Sequence, residues 1–311
     1  MTWSGSWRLS DLPDQTGRTT VVTGCTVGGL GFHTALELAR AGGAVVLAGR
    51  SSDRLAEAEA AILREVPTAV LTPLVVDLAD LTSVRLAGSE AATFGPIDCL
   101  VNNAGVMAPP YSRTADGFER QLGTNHLGPF LLTGLLLPQL AESGDGRVVT
   151  VSSQLHRMAR SAPLDDPRQQ QGRYLRWPAY AGTKLANLLF TFELDRRLTA
   201  AELPVRALAA HPGYAGTHLV ANGRFGRSSG GVASIVDAAN RALSQSAADG
   251  ALPLLMAATA ELPGSTYCGP GGPGEGRGLP RVVGTGRRAT DLTAQRALWE
   301  LSERAVGITY P

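Results

Sequence analysis

Short apolar runs alternate along the chain with longer stretches of helical periodicity. The short runs are apolar at consecutive positions, which is typical of strands that are buried on both faces of a parallel sheet. The predicted strands are residues 19–22, 44–48, 70–76, 100–101, 148–151, 205–209 and 265–267. The predicted helices are residues 30–41, 53–64, 81–94, 117–140, 179–201 and 291–305. This alternation predicts a single-domain, doubly wound α/β fold with a mainly seven-stranded parallel sheet.

Two segments depart from the alternation. Residues 155–176 are polar and predict an inserted loop, which is either solvated surface or a lid or wall beside the active site. Residues 264–286 are rich in glycine and proline and predict a surface excursion before the last helix.

Composition narrows the class of protein. The 28 Lys and Arg residues balance 27 Asp and Glu residues, so nucleic acid and anionic membrane surfaces are not expected partners. The longest apolar runs are too short to span a bilayer, and the first residues lack the pattern of a secretory signal. Three scattered cysteines indicate reduced thiols in a cytoplasmic protein, and the five histidines show no metal-ligand spacing.

A glycine-rich turn follows the first predicted strand and opens a helix. Residues 23–31 read Thr-Gly-Cys-Thr-Val-Gly-Gly-Leu-Gly, and such a turn lets a pyrophosphate approach the free N–H groups of the helix. A P-loop is excluded because Leu30 and Gly31 stand where Lys and Ser or Thr are needed. The usual Gly-x-Gly-x-x-Gly spacing also fails, because Thr34 replaces its third glycine.

A tyrosine and a lysine are spaced to share one face of a helix. Tyr180 and Lys184 lie one helical turn apart. A phenol has a pKa near ~10, and we expect the ammonium group of the lysine to lower that pKa. The pair predicts a device that moves a proton to or from a substrate oxygen.

Several further motifs follow in a fixed order. These are Asn102-Asn103-Ala104-Gly105, Asn125, Ser152-Ser153, the Tyr180/Lys184 pair and the run His-Pro-Gly-Tyr-Ala-Gly-Thr at 211–217. Together with the glycine-rich turn, they resemble the short-chain dehydrogenase/reductase (SDR) family, although this turn is one residue longer than the family's. Residues 184–190 and 298–303 are similar to the retinol-dehydrogenase-like branch. The resemblance implies a Rossmann fold, with the motifs in residues 17–217 and a substrate loop and C-terminal helices in residues 218–311.

The resemblance also implies roles for individual residues. Tyr180 is the expected general acid and base, Lys184 lowers its pKa and binds the nicotinamide ribose, Ser153 holds the substrate oxygen, and Asn125 supports Lys184 through water. The expected cofactor-binding residues are Gly24, Thr26, Gly29, Leu30, Gly31, Arg50, Ser51, Asp77, Leu78, Asn103, Ala104, Gly105, Tyr180, Lys184, Pro212, Gly213 and Thr217. The expected substrate-lining residues are Met107, Gln154, Trp177, Tyr214, His218 and Leu219.

The residues after the second strand indicate which nucleotide is bound. An acidic residue there would hold the ribose of NAD, but Gly49 occupies that position and Arg50 follows it. This favours NADP(H), with NAD(H) as a second option, although Arg50 could instead be a salt-bridged surface charge. Asp77 either borders the adenine or caps the next helix.

These observations predict an NADP(H)-dependent oxidoreductase that acts on a carbonyl or alcohol group of a hydrophobic small molecule. Two alternatives remain. One is an epimerase or dehydratase on the same fold, and the other is a nucleotide-binding homologue without turnover. The apolar stripes at 131–140 and 185–192 could pair subunits in a homo-oligomer, or they could belong to the core.

Overall fold

The structure is a computed structural model that describes residues 5–163, 167–168, 173–214 and 245–311. These residues contain one eight-stranded sheet in the order β3-β2-β1-β4-β5-β6-β7-β8. The strands are β1 (Thr19–Thr23), β2 (Ala44–Gly49), β3 (Leu71–Val75), β4 (Cys99–Asn102), β5 (Gly146–Val151), β6 (Val205–Ala210), β7 (Tyr267–Pro270) and β8 (Pro280–Val282). The first seven strands are parallel and β8 is antiparallel to β7, which confirms the predicted doubly wound α/β class.

Helices cover both faces of the sheet. They are α1 (Leu30–Arg40), α2 (Ser52–Glu65), α3 (Leu81–Ala91), α4 (Arg120–Leu122), α5 (Gly128–Glu142), α6 (Arg176–Ala200), α7 (Ala247–Thr259) and α8 (Leu292–Val306). Within the described ranges, no helix has the length and apolar character needed to cross a membrane.

The consecutive apolar residues of each central strand serve two separate cores. Val21 packs into the core beneath α3 and α5, whereas its neighbour Val22 packs into the core beneath α1 and α7. Val148 and Val149 of β5 divide in the same way. Successive strand residues point to opposite faces, so a strand buried on both sides has to be apolar throughout.

Three elements differ from the predictions. The segment 264–286 is not only a surface excursion, because β8 lies within it and pairs with β7. Helix α7 has no counterpart among the predicted elements. The helix predicted over 117–140 begins at Arg120 and passes through a π-helical segment, Gly123–Leu127, before α5 begins.

The sheet topology brings the predicted functional motifs to one edge. The chain crosses over between β1 and β4, and ligands of open α/β sheets bind at such a crossover, outside the carboxyl ends of the strands. The turn after β1, the Asn103–Gly105 segment after β4, Ser153 after β5 and Pro212 after β6 all lie at this carboxyl edge.

Candidate active site

Helix α6 carries the tyrosine and the lysine, and both side chains are buried. The Lys184 Nζ donates a hydrogen bond to the Val151 carbonyl oxygen at 2.9 Å. It also lies 5.6 Å from the centre of the Tyr180 ring. The predicted one-turn spacing therefore brings the ammonium group against the phenol, and the end of β5 fixes its position.

The two serines after β5 have different surroundings. The Ser152 hydroxyl donates to the Lys184 carbonyl oxygen at 2.8 Å and is buried. The Ser153 hydroxyl accepts a hydrogen bond from the Leu155 N–H at 3.2 Å and lies close enough to Tyr180 to lower the pKa of the phenol. The structure thus places the second serine of the pair, and not the first, beside the tyrosine.

Asn125 lies in the π-helical segment, a rare geometry that occurs often at functional sites. Its side chain accepts a hydrogen bond from the Val106 N–H at 2.7 Å and donates to the Val106 carbonyl oxygen at 2.9 Å. It also donates to the Thr183 hydroxyl at 3.1 Å. Asn125 therefore joins the segment after β4 to α6 at the residue before Lys184.

Burial controls the ionisation of the tyrosine and the lysine. Desolvation raises the pKa of Tyr180 to about 12, and the nearby Ser153 hydroxyl opposes that change. Desolvation lowers the pKa of Lys184 to about 8. The net direction of the tyrosine pKa is therefore upward, because the cost of burying a phenolate is the largest effect.

The turn after β1 is packed against the end of β4. Gly24 has a φ of +80°, which favours glycine, and a Cβ on Gly31 would lie 2.6 Å from the Asn103 side-chain nitrogen. The Thr23 hydroxyl accepts hydrogen bonds from the N–H groups of Asn103 and Ala104, both at 3.0 Å. These contacts leave no room for side chains between the two strand ends.

The extra residue of the turn is absorbed close to the helix. The Gly29 N–H donates to the Thr26 carbonyl oxygen at 2.9 Å, and Gly28 adopts a φ of +76° within the same tight turn. Thr26 and Val27 are exposed. Cys25 is buried, and its thiol donates to the Val22 carbonyl oxygen at 3.1 Å.

The N-terminus of α1 has no side-chain cap, a feature that it shares with α6. Side chains of Ser51, Asp80, Ser246 and Asp291 cap α2, α3, α7 and α8, whereas Gly29 offers no side-chain cap to α1. In the described part of the chain, the N–H groups of Leu30, Gly31 and Phe32 have no hydrogen-bond partner. Free donors at a helix start fit an anion such as a dinucleotide pyrophosphate.

Two predicted nucleotide contacts follow β2. Arg50 is exposed, and in the described ranges it forms no ion pair with another side chain. Ser51 lies beside it, and its hydroxyl accepts a hydrogen bond from the Arg54 N–H at 3.4 Å as the cap of α2. The guanidinium group is free to meet an anion at the carboxyl edge.

Asp77 and Leu78 follow β3. Asp77 accepts a hydrogen bond from the Ala79 N–H at 2.9 Å, and Asp80, one turn later, is the cap of α3. Leu78 is buried against Gly128 at the start of α5. The alternative that Asp77 itself caps α3 is therefore wrong.

The predicted substrate wall is only partly assembled in the described ranges. Met107 is half-buried, Tyr214 is exposed, and Trp177 packs edge-on against Tyr180 with ring centres 6.4 Å apart. The Gln154 side-chain nitrogen donates a hydrogen bond to Glu275, so this side chain already has a protein partner in the predicted wall. Thr217, His218 and Leu219 lie outside the described residues.

Comparison with known proteins gives the family. A family model of the short chain dehydrogenases matches residues 18–164. Retinol dehydrogenase 14 of Homo sapiens is 36% identical over 94% of this chain and 87% of its own length. The chain belongs to the short-chain dehydrogenase family. It falls in the retinol-dehydrogenase-like branch, as its motifs predicted. The polyprenol dehydrogenase of Mus musculus is 44% identical over 69% of this chain, and the alignment spans 65% of that relative.

Two solved structures agree with the fold. An uncharacterized protein from Mycobacterium paratuberculosis has a TM-score of 0.80 and 43% identity, covering 99% of this chain and 100% of its own. A structure from Beutenbergia cavernae, described as an NAD(P)-dependent gluconate 5-dehydrogenase, contains bound NADP at low occupancy. It has a TM-score of 0.60 and 27% identity and covers 79% of this chain and 92% of its own.

Two groups at this short-chain dehydrogenase site were not singled out from the sequence. Thr23 closes the junction of β1 and β4, and its place at the head of the glycine-rich motif was the available signal. Glu275 contacts residues beside the predicted active site, but it is a lone acid in a glycine-rich segment. No local pattern marks such a residue, because its partners come from distant parts of the chain.

Proposed function

We propose that the protein is an NADP(H)-dependent oxidoreductase that transfers a hydride between nicotinamide and the carbonyl or alcohol carbon of an apolar substrate. The observation that carries this proposal is the juxtaposition of Ser153, Tyr180 and Lys184 at the carboxyl edge of the sheet. The uncapped start of α1 lies at the same edge and supports a dinucleotide as the cofactor.

Proton transfer at the substrate oxygen is the work of the side chains in this proposal. Tyr180 donates its hydroxyl proton to the carbonyl oxygen during reduction and accepts a proton from the alcohol during oxidation. Ser153 donates a hydrogen bond to the same oxygen and holds it against the phenol. The nicotinamide, when bound, supplies or accepts the hydride.

Lys184 and Asn125 support the tyrosine. The Lys184 ammonium group is fixed by the Val151 carbonyl oxygen, so it keeps a constant place beside the phenol and could also bind the nicotinamide ribose. Asn125 holds the Val106 peptide and the Thr183 hydroxyl, which fixes the floor of the site beneath the lysine.

The nucleotide preference rests on Arg50. Its guanidinium group is exposed at the end of β2, and Gly49 stands where an acidic residue would repel a phosphate. A guanidinium group pairs well with a phosphate, so we expect the 2′-phosphate of NADP(H) to lie against Arg50 and Ser51.

The substrate class follows from the relatives and from the wall of the site. Retinol and polyprenol, which name two of the relatives, are both long apolar molecules that end in a hydroxyl group. The half-buried Met107 and the Trp177 ring beside Tyr180 supply apolar surface at the same edge. A long apolar aldehyde or alcohol therefore suits the site better than a sugar.

The test is the consumption of NADPH with a panel of carbonyl compounds. We expect all-trans-retinal to be reduced faster than a short aldehyde or a ketose, and NADPH to be preferred to NADH. A fluorescence titration with NADPH runs in parallel. Tight cofactor binding without turnover of any carbonyl compound would contradict the proposal and favour the nucleotide-binding homologue without turnover.

A further inference from the structure

Glu275 lies in a strained loop between β7 and β8. Its φ is +53°, in the left-handed region that favours glycine, and it is flanked by Gly274 and Gly276. Its side chain is only 17% exposed. A non-glycine residue keeps such a conformation only where the surrounding contacts determine it, so the contacts of this carboxylate are the feature to explain.

The carboxylate accepts hydrogen bonds from three side chains that follow the ends of β5 and β6. The Glu275 Oε2 accepts hydrogen bonds from the side-chain nitrogen of Gln154 and from the His211 Nε2, the latter at 3.1 Å. The Glu275 Oε1 accepts one from Arg157 at 3.0 Å. Gln154 directly follows Ser153, and His211 directly precedes the Pro212 segment after β6.

The histidine contacts identify which nitrogen carries the proton. The Gly213 N–H donates to the His211 Nδ1 at 3.2 Å, so the proton of the neutral ring lies on Nε2 and points at Glu275. This ring is fully buried, and burial lowers its pKa, which keeps it neutral.

The segment that follows β8 holds the turn after the serine at two more points. The Gly286 N–H donates to the His156 Nε2 at 3.0 Å, so the His156 Nδ1 carries the proton and donates to the Ser153 carbonyl oxygen at 2.7 Å. Arg157 donates to the Gly284 carbonyl oxygen at 2.7 Å. The helical turn Gln154–Met158 is therefore tied both to Glu275 and to the segment after β8.

We propose that Glu275 is a positioning residue, whose carboxylate fixes the Gln154–Met158 turn and thereby holds the Ser153 hydroxyl against Tyr180. This inference rests on the proposed function, in which Ser153 holds the substrate oxygen. Glu275 itself touches neither the tyrosine nor the lysine, so it acts on the rate through the serine.

The variant Glu275→Gln keeps the size of the side chain but replaces one acceptor oxygen with a donor group. Either Arg157 or the Gln154–His211 pair then faces a donor and loses its hydrogen bond. Misplacement of a reacting group by about 1 Å can cost about 10²-fold. We expect kcat with all-trans-retinal and NADPH to fall about 10- to 100-fold, while the Kd of NADPH changes less than about threefold.

Two further variants sharpen the test. Glu300→Gln removes a carboxylate of 62% exposure on α8 and should leave kcat unchanged. Gln154→Ala combined with Glu275→Gln should cost much less than the product of the two single losses, because both changes release the same turn. A wild-type kcat for Glu275→Gln, or fully additive losses in the double variant, overturns the proposal.

Hydrogen exchange separates this inference from the proposed function. The amides of residues 153–158 should exchange faster in Glu275→Gln than in the wild type and in Glu300→Gln. If the wild type fails to reduce retinal, the proposed substrate is wrong, and the exchange measurement still decides whether Glu275 fixes the turn. Unchanged exchange at 153–158 overturns the positioning role.

Discussion

The two halves of the carboxyl edge, one beside α6 and one beside β1 and β2, present different kinds of chemical group. At the α6 end, the working groups are buried or partly buried side chains, and Lys184, Asn125 and Ser153 each form at least one hydrogen bond to the backbone or to a neighbouring side chain. At the β1–β2 end, the available groups are backbone N–H donors and one exposed guanidinium group. A proton transfer needs one fixed arrangement of the reacting groups. An anion, in contrast, can be bound by several hydrogen-bond donors whose exact arrangement is less important.

This difference leads to separate expectations for the two halves. Changes at the α6 end, apart from those at Lys184, should alter the rate of turnover and leave cofactor affinity nearly intact. Changes at the β1–β2 end should alter cofactor affinity and leave the rate at saturation nearly intact.

Tyr180→Phe tests the α6 half most severely. It removes the proton that the hydroxyl transfers and keeps the ring packed against Trp177. We expect kcat to fall roughly 10²–10⁴-fold, the usual size of a general acid–base contribution, with NADPH affinity nearly unchanged. Steady-state kinetics and a binding titration measure the two effects.

Tyr310→Phe is the matched control, because it removes a buried tyrosine hydroxyl that donates to the Phe130 carbonyl oxygen. It should cost stability without changing kcat. A Tyr180→Phe protein with near-wild-type kcat would show that the tyrosine is not the acid and base.

Arg50→Ala tests the β1–β2 half. A charge-assisted hydrogen bond contributes about 1.5–3 kcal/mol, so the Kd of NADPH should rise roughly ten- to a hundredfold. The Kd of NADH should hardly change, because NADH has no 2′-phosphate. Arg64→Ala, at the far end of α2, removes the same charge and should leave both constants alone. Equal losses for both cofactors would make Arg50 a general surface charge.

Lys184→Met tests whether burial of the lysine ammonium group lowers the free energy of unfolding of the protein. The lowering of the lysine pKa from 10.5 to about 8 corresponds to roughly 3 kcal/mol at neutral pH. Loss of the hydrogen bond to Val151 offsets about 1 kcal/mol of this, and Asn187 still donates to the same oxygen at 3.0 Å. We expect an inactive variant that is about 2 kcal/mol more stable at pH 7.

The sign of the pH dependence follows from the two pKa values. Between a pH of about 8 and 10.5, the unfolded wild type binds the lysine proton and the folded wild type has lost it. Wild-type stability therefore gains from this group as the pH rises, and the advantage of Lys184→Met shrinks. Urea unfolding of both proteins at pH 7 and about pH 9.5 measures the gap, and a gap that does not change with pH contradicts the burial argument.

Deletion of Val27 should have the smallest effect. Val27 is exposed in the turn, and Gly28 and Gly29 supply the backbone freedom that a shorter connection needs. We expect a loss of less than about tenfold in NADPH affinity, or about 1.4 kcal/mol. Val27→Ala is the control for the side chain alone. A deletion that abolishes binding would show that the longer turn is itself part of the cofactor site.

The central sheet could be predicted from the sequence, because buried parallel strands need unbroken apolar runs. The motifs at its carboxyl edge could be predicted from their order in the sequence. It did not predict β8, which has three residues, one of them proline, and depends on β7 for its pairing. Helix α7 was missed because its face to solvent is narrow and its residues are almost uniformly apolar.

Within the candidate site, the sequence predicted which residues take part and how they are spaced, but it did not predict how deeply they are buried. The spacing of Tyr180 and Lys184 placed them on one helix face, but the direction of the tyrosine pKa depends on how deeply α6 is packed. In the longer turn, Cys25 points inward while Thr26 and Val27 are exposed, because the core beneath α1 takes up the Cys25 side chain. Local geometry alone does not decide which residue of a longer turn is left outside.

The inward position of Cys25 gives the turn a natural chemical reporter. Burial raises the pKa of its thiol to about 12, so the native protein presents neither an exposed sulfur nor a thiolate at this point. An alkylating reagent reaches the sulfur only while the segment between β1 and α1 is transiently open. The rate of labelling at Cys25, measured by peptide mass spectrometry, thus reports how often the segment opens. A bound dinucleotide would lower this rate, and the measurement needs no engineered probe.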